Sequence, residues 1–370
     1  MYEKDRTWAE IRLDAIQSNL STLRAHLSPG TRFLGVVKAD AYGHGAVPVA
    51  KALEKAACDY LAVATLSEAL ELRDAGICLP VLILGWTDPV HAADTILSHV
   101  TQAVSDPEQA YALSREATRL GIPAKVHLKL DTGMGRTGFL VRGGRDPLPQ
   151  LLPILHLPGL VFEGVFTHFA VSETDPAYTR AQADLFLAAV SDVERTLGHR
   201  IPLRHCANSG AVLKYRDLNL DMVRPGIALY GVSPDASLPA PNLTPAMTLK
   251  SRICQIRPLS PGESVSYGRR YIAQSPRCMA VLPIGYADGL RRSLSGKATF
   301  LLRGRRVRQI GTICMDMCMA DVTEIPDAAV GDEVTIFGTD PPVTELADLA
   351  GTIPYELLCS VSPRVPRVYL

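Results

Sequence analysis

From about residue 30 to about residue 230 the chain alternates between short apolar runs and longer amphipathic ones, and this rhythm restricts its fold more than any other feature. Eight of the apolar runs have strand length and composition: residues 33–38, 60–64, 81–84, 101–104, 125–130, 160–167, 203–206 and 222–229. Helical patterns lie between them. In residues 177–197, for example, Leu185, Phe186, Ala189, Val190, Val193 and Leu197 recur at helical spacing and give one apolar face. Eight strand–helix units in about 200 residues have the count and length of an α/β fold closed as a (β/α)8 TIM-type barrel. An open doubly wound sheet competes, but no G-x-G-x-x-G follows the first strand.

After Gly231 the character changes. The stretch Ser233-Pro-Asp-Ala-Ser-Leu-Pro-Ala-Pro241 reads as a proline-rich linker. Short β-type runs follow at 247–256, 278–283, 298–302, 307–314 and 333–337, separated by Gly and Pro turns, and predict a second, mostly antiparallel β domain. The segment Thr7-Trp-Ala-Glu-Ile-Arg12 is also strand-like and fits either domain. The division expected is a barrel over 12–232 and a β domain made of 1–11 plus 233–370. A chain of 370 residues has the core for both.

Lys+Arg and Asp+Glu each total 38, so the chain lacks the basic surplus that a nucleic-acid partner selects. No apolar run is long enough to span a bilayer, and the N-terminus lacks a signal-peptide core. The eight cysteines include no C-x-x-C pair. Cys314 and Cys318 alternate with Met315, Met317 and Met319 in a strand-like pattern that suits small core residues better than a metal site. A protein of the reducing cytoplasm, with neither membrane nor nucleic-acid partner, is expected.

Chemistry concentrates where the proposed barrel strands end, the face on which such barrels carry their sites. In Phe33-Leu-Gly-Val-Val-Lys-Ala-Asp-Ala-Tyr-Gly-His-Gly45 an apolar run ends at Lys38, and Tyr42 follows in a glycine-flanked turn. A helix is expected from about residue 47 to 55. A lysine in such a place either snorkels to solvent or is a desolvated, reactive amine able to form a Schiff base. In the fifth strand His127, Lys129 and Asp131 share one face, which suits a barrel-mouth site or, alternatively, an ion-paired structural cluster. Arg136, His168, Asn208 with Ser209, and Arg224 with Gly226 lie at later strand ends. Tyr267, Tyr286 and Tyr355 stand in turns near Gly or Pro.

These residues carry a resemblance. Val36-Val-Lys-Ala-Asp-Ala-Tyr-Gly-His-Gly45, Lys129-Leu-Asp-Thr-Gly-Met-Gly-Arg136, Thr167-His-Phe-Ala170, Ala207-Asn-Ser209 and Val223-Arg-Pro-Gly-Ile-Ala-Leu-Tyr-Gly231 occur in order. Val265-Ser-Tyr-Gly268, Gly285-Tyr-Ala-Asp-Gly289, Cys314-Met-Asp316, Ile353-Pro-Tyr355 and Arg364-Val-Pro-Arg367 continue the series. As an ordered set over nearly the whole length, they resemble the alanine racemases, enzymes that depend on pyridoxal 5′-phosphate (PLP). Met317 stands where a glutamine is expected and Thr312 where an arginine is common.

The resemblance implies that Lys38 carries PLP, and that Tyr42, Ser209, Gly226, Ile227 and Tyr355 hold its phosphate with Asn208 alongside. It places His168 beside the pyridine ring, Arg136 near the phenolic oxygen and substrate carboxylate, and Lys129 at a position that can be carbamylated. It sets Arg224 against the pyridine nitrogen; arginine has only donors, so it cannot accept the ring proton, which weakens the electron sink and favours simple return of a proton to Cα. Two acid–bases are implied, Lys38 on one face and Tyr267 on the other. A free tyrosine ionises near pH ~10, so Tyr267 needs an activating neighbour. Tyr267, Met315 and Tyr286 are implied to reach the site from the other subunit of a head-to-tail homodimer. L- and D-alanine are then the substrates, with D-alanine feeding peptidoglycan. A PLP decarboxylase, a non-catalytic PLP carrier, a cofactor-free Schiff-base aldolase and a racemase of broader range, serine included, are the rivals.

Overall fold

The computed structural model describes residues 4, 6–235, 237–238 and 242–370. Eight parallel strands form the first unit: Arg32–Val36, Tyr60–Val63, Val81–Ile83, Thr101–Val104, Ala124–Asp131, Leu160–Phe166, Leu203–His205 and Met222–Val223. Each pairs with the next through the seventh, and the eighth returns to the first through Met222↔Arg32 and Val223↔Phe33. Between seventh and eighth the seam is held by Asp221 N–H to Arg204 O at 3.1 Å and Arg224 N–H to Ala207 O at 2.9 Å. Strands such as Tyr60–Val63 and Val81–Ile83 are buried at every residue, because helices cover the outside and side chains fill the inside.

Local chemistry sets the helix ends. Thr65 and Glu68 make a reciprocal capping box, Asp106 and Asp175 cap helices that open with Pro107 and Pro176, and left-handed Gly121 and Gly198 close the same two helices.

The second unit is a nine-stranded sheet in the order Gln255–Leu259, Arg277–Leu282, Cys318–Asp321, Arg305–Ile310, Thr299–Leu302, Glu333–Phe337, Met247–Arg252, Thr7–Ile11, Arg367–Tyr369. All pairs are antiparallel except the last. Thr7–Ile11, which fitted either unit by sequence, joins this sheet. The expected linker at 233–241 falls partly on residues 236 and 239–241, outside the described residues, as do residues 1–3 and 5 of the N-terminal segment.

Several expected elements differ. The eighth strand, expected over 222–229, stops at Val223; Pro225 has no N–H for a ladder, and Ile227–Tyr230 winds into a 3₁₀ turn. Lys38 lies beyond the first strand, which ends at Val36. The run expected over 247–256 is two strands broken at Ile253 and Cys254. The strand-like alternation read over 314–319 becomes a strand only at Cys318–Asp321, and Arg367–Tyr369, not expected as a strand, is three residues long and borrows its pairing from Thr7–Ile11.

Candidate active site

The first barrel strand delivers Lys38 into an unusual turn. Ala39, Asp40, Ala41 and Tyr42 all take left-handed backbone angles, with φ between 51° and 55°, and Gly43 follows at 80°. Such a run costs energy at each non-glycine residue and persists only when its surroundings hold it. Glu68 accepts from the Ala39 N–H at 2.7 Å, and Asp40 accepts from the Ala46 N–H at 2.7 Å. From the β domain, Arg367 donates to the Gly43 carbonyl at 3.0 Å. The turn is packed so tightly that a Cβ on Gly43 would lie 2.4 Å from the Leu358 carbonyl oxygen.

At the C-terminal ends of the strands lies a cavity of about 450 Å³. Lys38, Tyr42, Lys129, Arg136, His168, Asn208, Ser209, Arg224, Gly226, Ile227 and Tyr355, expected to share a site, all line it. No aspartate or glutamate is among its lining residues. Burial pushes the Lys38 amine down from its ordinary value, and the nearby Arg136 charge adds to this. Burial, then Arg136, Arg224 and Lys38, bring Lys129 down to about 8. Lys129 Nζ donates to Thr137 Oγ1 at 2.6 Å. Glu68 near Lys38 and Asp131 near Lys129 oppose this shift in part, but neither lines the cavity, and its cationic lining favours an anionic ligand.

One wall is a cradle of small groups. Asn208 caps the turn that begins at Ser209, with its Oδ1 accepting from the Ala211 N–H at 3.0 Å. Ser209 Oγ accepts from the Gly226 N–H at 2.9 Å. A Cβ on Gly226 would lie 2.4 Å from the Tyr42 hydroxyl, so glycine is what admits that tyrosine. Tyr42 packs against Tyr230 and Tyr355, with ring centres 4.9 Å and 5.9 Å apart.

Arg224 is buried behind the cavity. Its Nη2 donates to the Thr167 carbonyl at 2.8 Å and lies 3.4 Å from His168 Nδ1, and Nη1 lies 2.8 Å from His205 Nδ1. Among the described residues its hydrogen-bond partners are carbonyls and histidines rather than carboxylates, and burial lowers it to about 10, so it stays a cation at neutral pH. His168 is pushed well down by burial and by the Arg224 charge and is neutral.

The fifth strand's polar face divides its work. Lys129 faces the cavity and His127 is hydrogen-bonded to His205 inside the barrel. Asp131 is structural: it accepts from the Gly133 and Gly135 N–H groups, each at 3.0 Å. Cys359 and Phe166 also line the cavity and were not singled out by sequence. Cys359 stands one helical turn after Tyr355, a spacing that could have revealed it.

Tyr267, Met315 and Tyr286 are not brought to this cavity within the chain. Tyr267 and Met315 line a separate concavity of the β domain, and Tyr286 lines a third. Tyr267 is 71% exposed and Met315 53%. Thr312, which stands where an arginine is common in the family the sequence resembles, is buried and donates to the Tyr267 carbonyl at 2.8 Å. Cys314 and Cys318 belong to no metal-ligand cluster among the described residues.

Comparison with known proteins decides the family. Residues 11–234 match the model of the alanine racemase N-terminal domain, and residues 246–369 that of the alanine racemase C-terminal domain. The chain belongs to the alanine racemase family. An alanine racemase of Desulfovibrio desulfuricans is 49% identical over 366 residues, which cover 98% of each chain. The structure of a Clostridium difficile alanine racemase superposes with a TM-score of 0.93 at 40% identity, covering 98% of this chain and 95% of that one. A Bacillus anthracis alanine racemase structure with bound L-Ala-P gives 0.90 at 35% identity, with the same coverage. Alanine racemases are isomerases, and the barrel-plus-β architecture described above is their fold. Membership of this family supports interconversion of L- and D-alanine as the activity.

Proposed function

We propose that this chain binds PLP through Lys38 and racemises alanine by two bases, Lys38 on one face of the substrate and Tyr267 of the partner subunit on the other. One observation carries the reading: a cavity without a carboxylate gathers Lys38, Lys129, Arg136 and Arg224 beside a glycine-floored cradle. That donor set suits a dianionic phosphate and a substrate carboxylate. Bound there, PLP supplies an electron sink that acidifies the Cα–H of an attached amino acid.

The protein's own groups then divide the labour. Tyr42, Tyr355, Ser209 and the backbone at Gly226 and Ile227 bind the phosphate, with Asn208 holding the turn that presents Ser209. Arg136 orients the substrate carboxylate. Arg224 is the residue that would meet the pyridine nitrogen; a guanidinium has only donors, so it would hold that nitrogen by donating and could not take a proton from it. Lys38, whose burial and cationic neighbours favour the free amine, takes or returns a proton on its face. His168, neutral, lies beside the ring. Lys129 stands at the family position that can be carbamylated, and its depressed pKa supports a nucleophilic amine there.

The exposure of Tyr267, Met315 and Tyr286 on the β domain supports a head-to-tail homodimer in which these residues complete the other subunit's cavity. The division into a barrel over 12–232 and a β domain made of 1–11 plus 233–370 belongs to the same reading. The eight free thiols suit a reducing cytoplasm, and no described helix is long and apolar enough to cross a membrane. D-Alanine made there would supply peptidoglycan.

The test is exchange of the Cα hydrogen of each alanine enantiomer in deuterated water with the PLP-loaded protein. Lys38→Ala should abolish both exchanges, and Tyr267→Phe should slow exchange from L-alanine more than from D-alanine. Equal loss for both enantiomers in the tyrosine variant would overturn the two-face assignment.

A further inference from the structure

Behind Arg224 the barrel interior holds titratable groups that the reaction above does not use. Arg224 Nη1 lies 2.8 Å from His205 Nδ1, and His205 Nε2 lies 2.9 Å from His127 Nδ1. His127 Nε2 lies 3.6 Å from Glu163 Oε2. Both histidines are fully buried, and burial pushes both downward, so both are neutral. Glu163 sits at the opposite end of the barrel from the cavity, where Lys125 Nζ approaches its Oε1 at 3.2 Å and Thr101 Oγ1 its Oε2 at 3.3 Å.

The protons of this chain are determined by its ends. A guanidinium only donates, so His205 Nδ1 is bare and its proton is on Nε2. His127 Nδ1 must accept that proton, so the His127 proton is on Nε2 and faces Glu163. His127 Nε2 has no hydrogen-bond partner, and an ionised carboxylate 3.6 Å away, which can only accept, favours a proton there by its charge. Two further features hold it in place. A Cβ on Gly164, the neighbour of Glu163, would lie 2.5 Å from His127 Cε1, so glycine makes room for that ring. Phe166 stacks on His205 at 4.9 Å and 7°, and Arg224 Cζ lies 5.2 Å from the centre of the same ring.

We propose that Glu163, at the far end of the barrel, is a positioning residue for Arg224: through His127 and His205 it fixes which nitrogen of each imidazole accepts, and so aims the guanidinium at the cofactor's ring nitrogen. Its kinetic consequence rests on the function proposed above; the proton arrangement does not, because it belongs to the protein alone. Loss of an outer-sphere partner commonly costs about 10–100-fold at metal-bound histidines, and a kcat loss at the low end, about tenfold, is expected for a carboxylate that acts by its charge at 3.6 Å.

The experiment is nitrogen NMR of histidine- and arginine-labelled protein, without and with PLP, alongside racemisation kinetics. In the unmodified protein both His127 and His205 should carry one proton, on Nε2, unchanged across neutral pH. Glu163→Leu should shift or broaden the His127, His205 and Arg224 signals. It should lower kcat about tenfold with the KM for alanine little changed. Glu163→Gln, which keeps an acceptor oxygen, should recover most of the rate. A proton on His205 Nδ1 in the unmodified protein would overturn the proposal, and so would a Glu163→Leu protein with unaltered His205 and Arg224 signals. Should Glu163→Leu fail to fold, the unmodified spectrum and the Gln variant still decide. An Nε2-protonated pair in a protein that does not racemise alanine would leave the proton arrangement standing and remove the proposed function.

Discussion

At the scale of single residues, Lys129 shows how neighbours make chemistry. Alone on a strand it is an ordinary ammonium. Buried among Arg136, Arg224 and Lys38, it falls to about 8, so its neutral fraction rises as pH passes upward through that value. The neutral amine is the form that would attack CO2: a nitrogen–carbon bond forms, one proton leaves the nitrogen, and the neutral amine becomes an anionic carbamate in the cavity that Arg136 also lines. Incorporation of labelled carbonate is therefore expected to rise from pH 7 to pH 9 at fixed dissolved CO2, and to vanish in Lys129→Ala. Labelling that falls over this range, or persists in the variant, would refute the carbamate. Gly226 works by omission: the Cβ it lacks is what leaves the Tyr42 hydroxyl its place.

At the scale of elements, the left-handed turn after the first strand is the decisive piece. Four consecutive non-glycine residues with positive φ store strain that hydrogen bonds from Glu68, Asp40 and Arg367 offset. Gly43→Ala adds a Cβ 2.4 Å from a backbone oxygen at φ +80°. A loss of about 1–3 kcal/mol in folding stability is expected, read from the urea midpoint. Weaker PLP binding should accompany it, read by absorbance titration, because the same turn carries Lys38 and Tyr42. Unchanged midpoint and affinity together would show that the turn tolerates the added methyl. The eighth strand teaches a related lesson: its apolar run continues to Leu229, yet Pro225 ends the ladder and the next residues become a turn that brings Gly226 and Ile227 to the cavity.

At the scale of the whole molecule, Lys38 lines the barrel cavity while Tyr267 lines a separate concavity of the β domain. A dimer with shared sites makes a quantitative prediction. Lys38→Ala and Tyr267→Ala proteins should each be inactive, yet mixing equal amounts with subunit exchange should create one intact site in each mixed dimer. Random assortment makes half the dimers mixed, so activity should recover to about a quarter of the unmodified level. No recovery, despite exchange shown by mass spectrometry, would place both bases in one subunit.

Much of this was legible in the linear sequence, because its physics is local. Alternating apolar runs and helical faces set the eight-stranded barrel, since each element must bury its own apolar side. Lys38, Tyr42, Arg136, His168, Ser209 and Arg224 could be picked out as polar residues at strand ends, the end where such barrels place their sites. What needed three dimensions was everything set by approach from elsewhere in the chain. No local pattern shows that Arg367 and Leu358 clamp the Lys38 turn, or that His127, His205 and Glu163, far apart in sequence, meet in one line behind Arg224. Nor does one show that Thr7–Ile11 completes the β sheet rather than the barrel. Sequence determined which residues carry charge and which must be buried. The tertiary structure decided which charges are buried together, and that burial is what lowers two lysines and an arginine from their ordinary values.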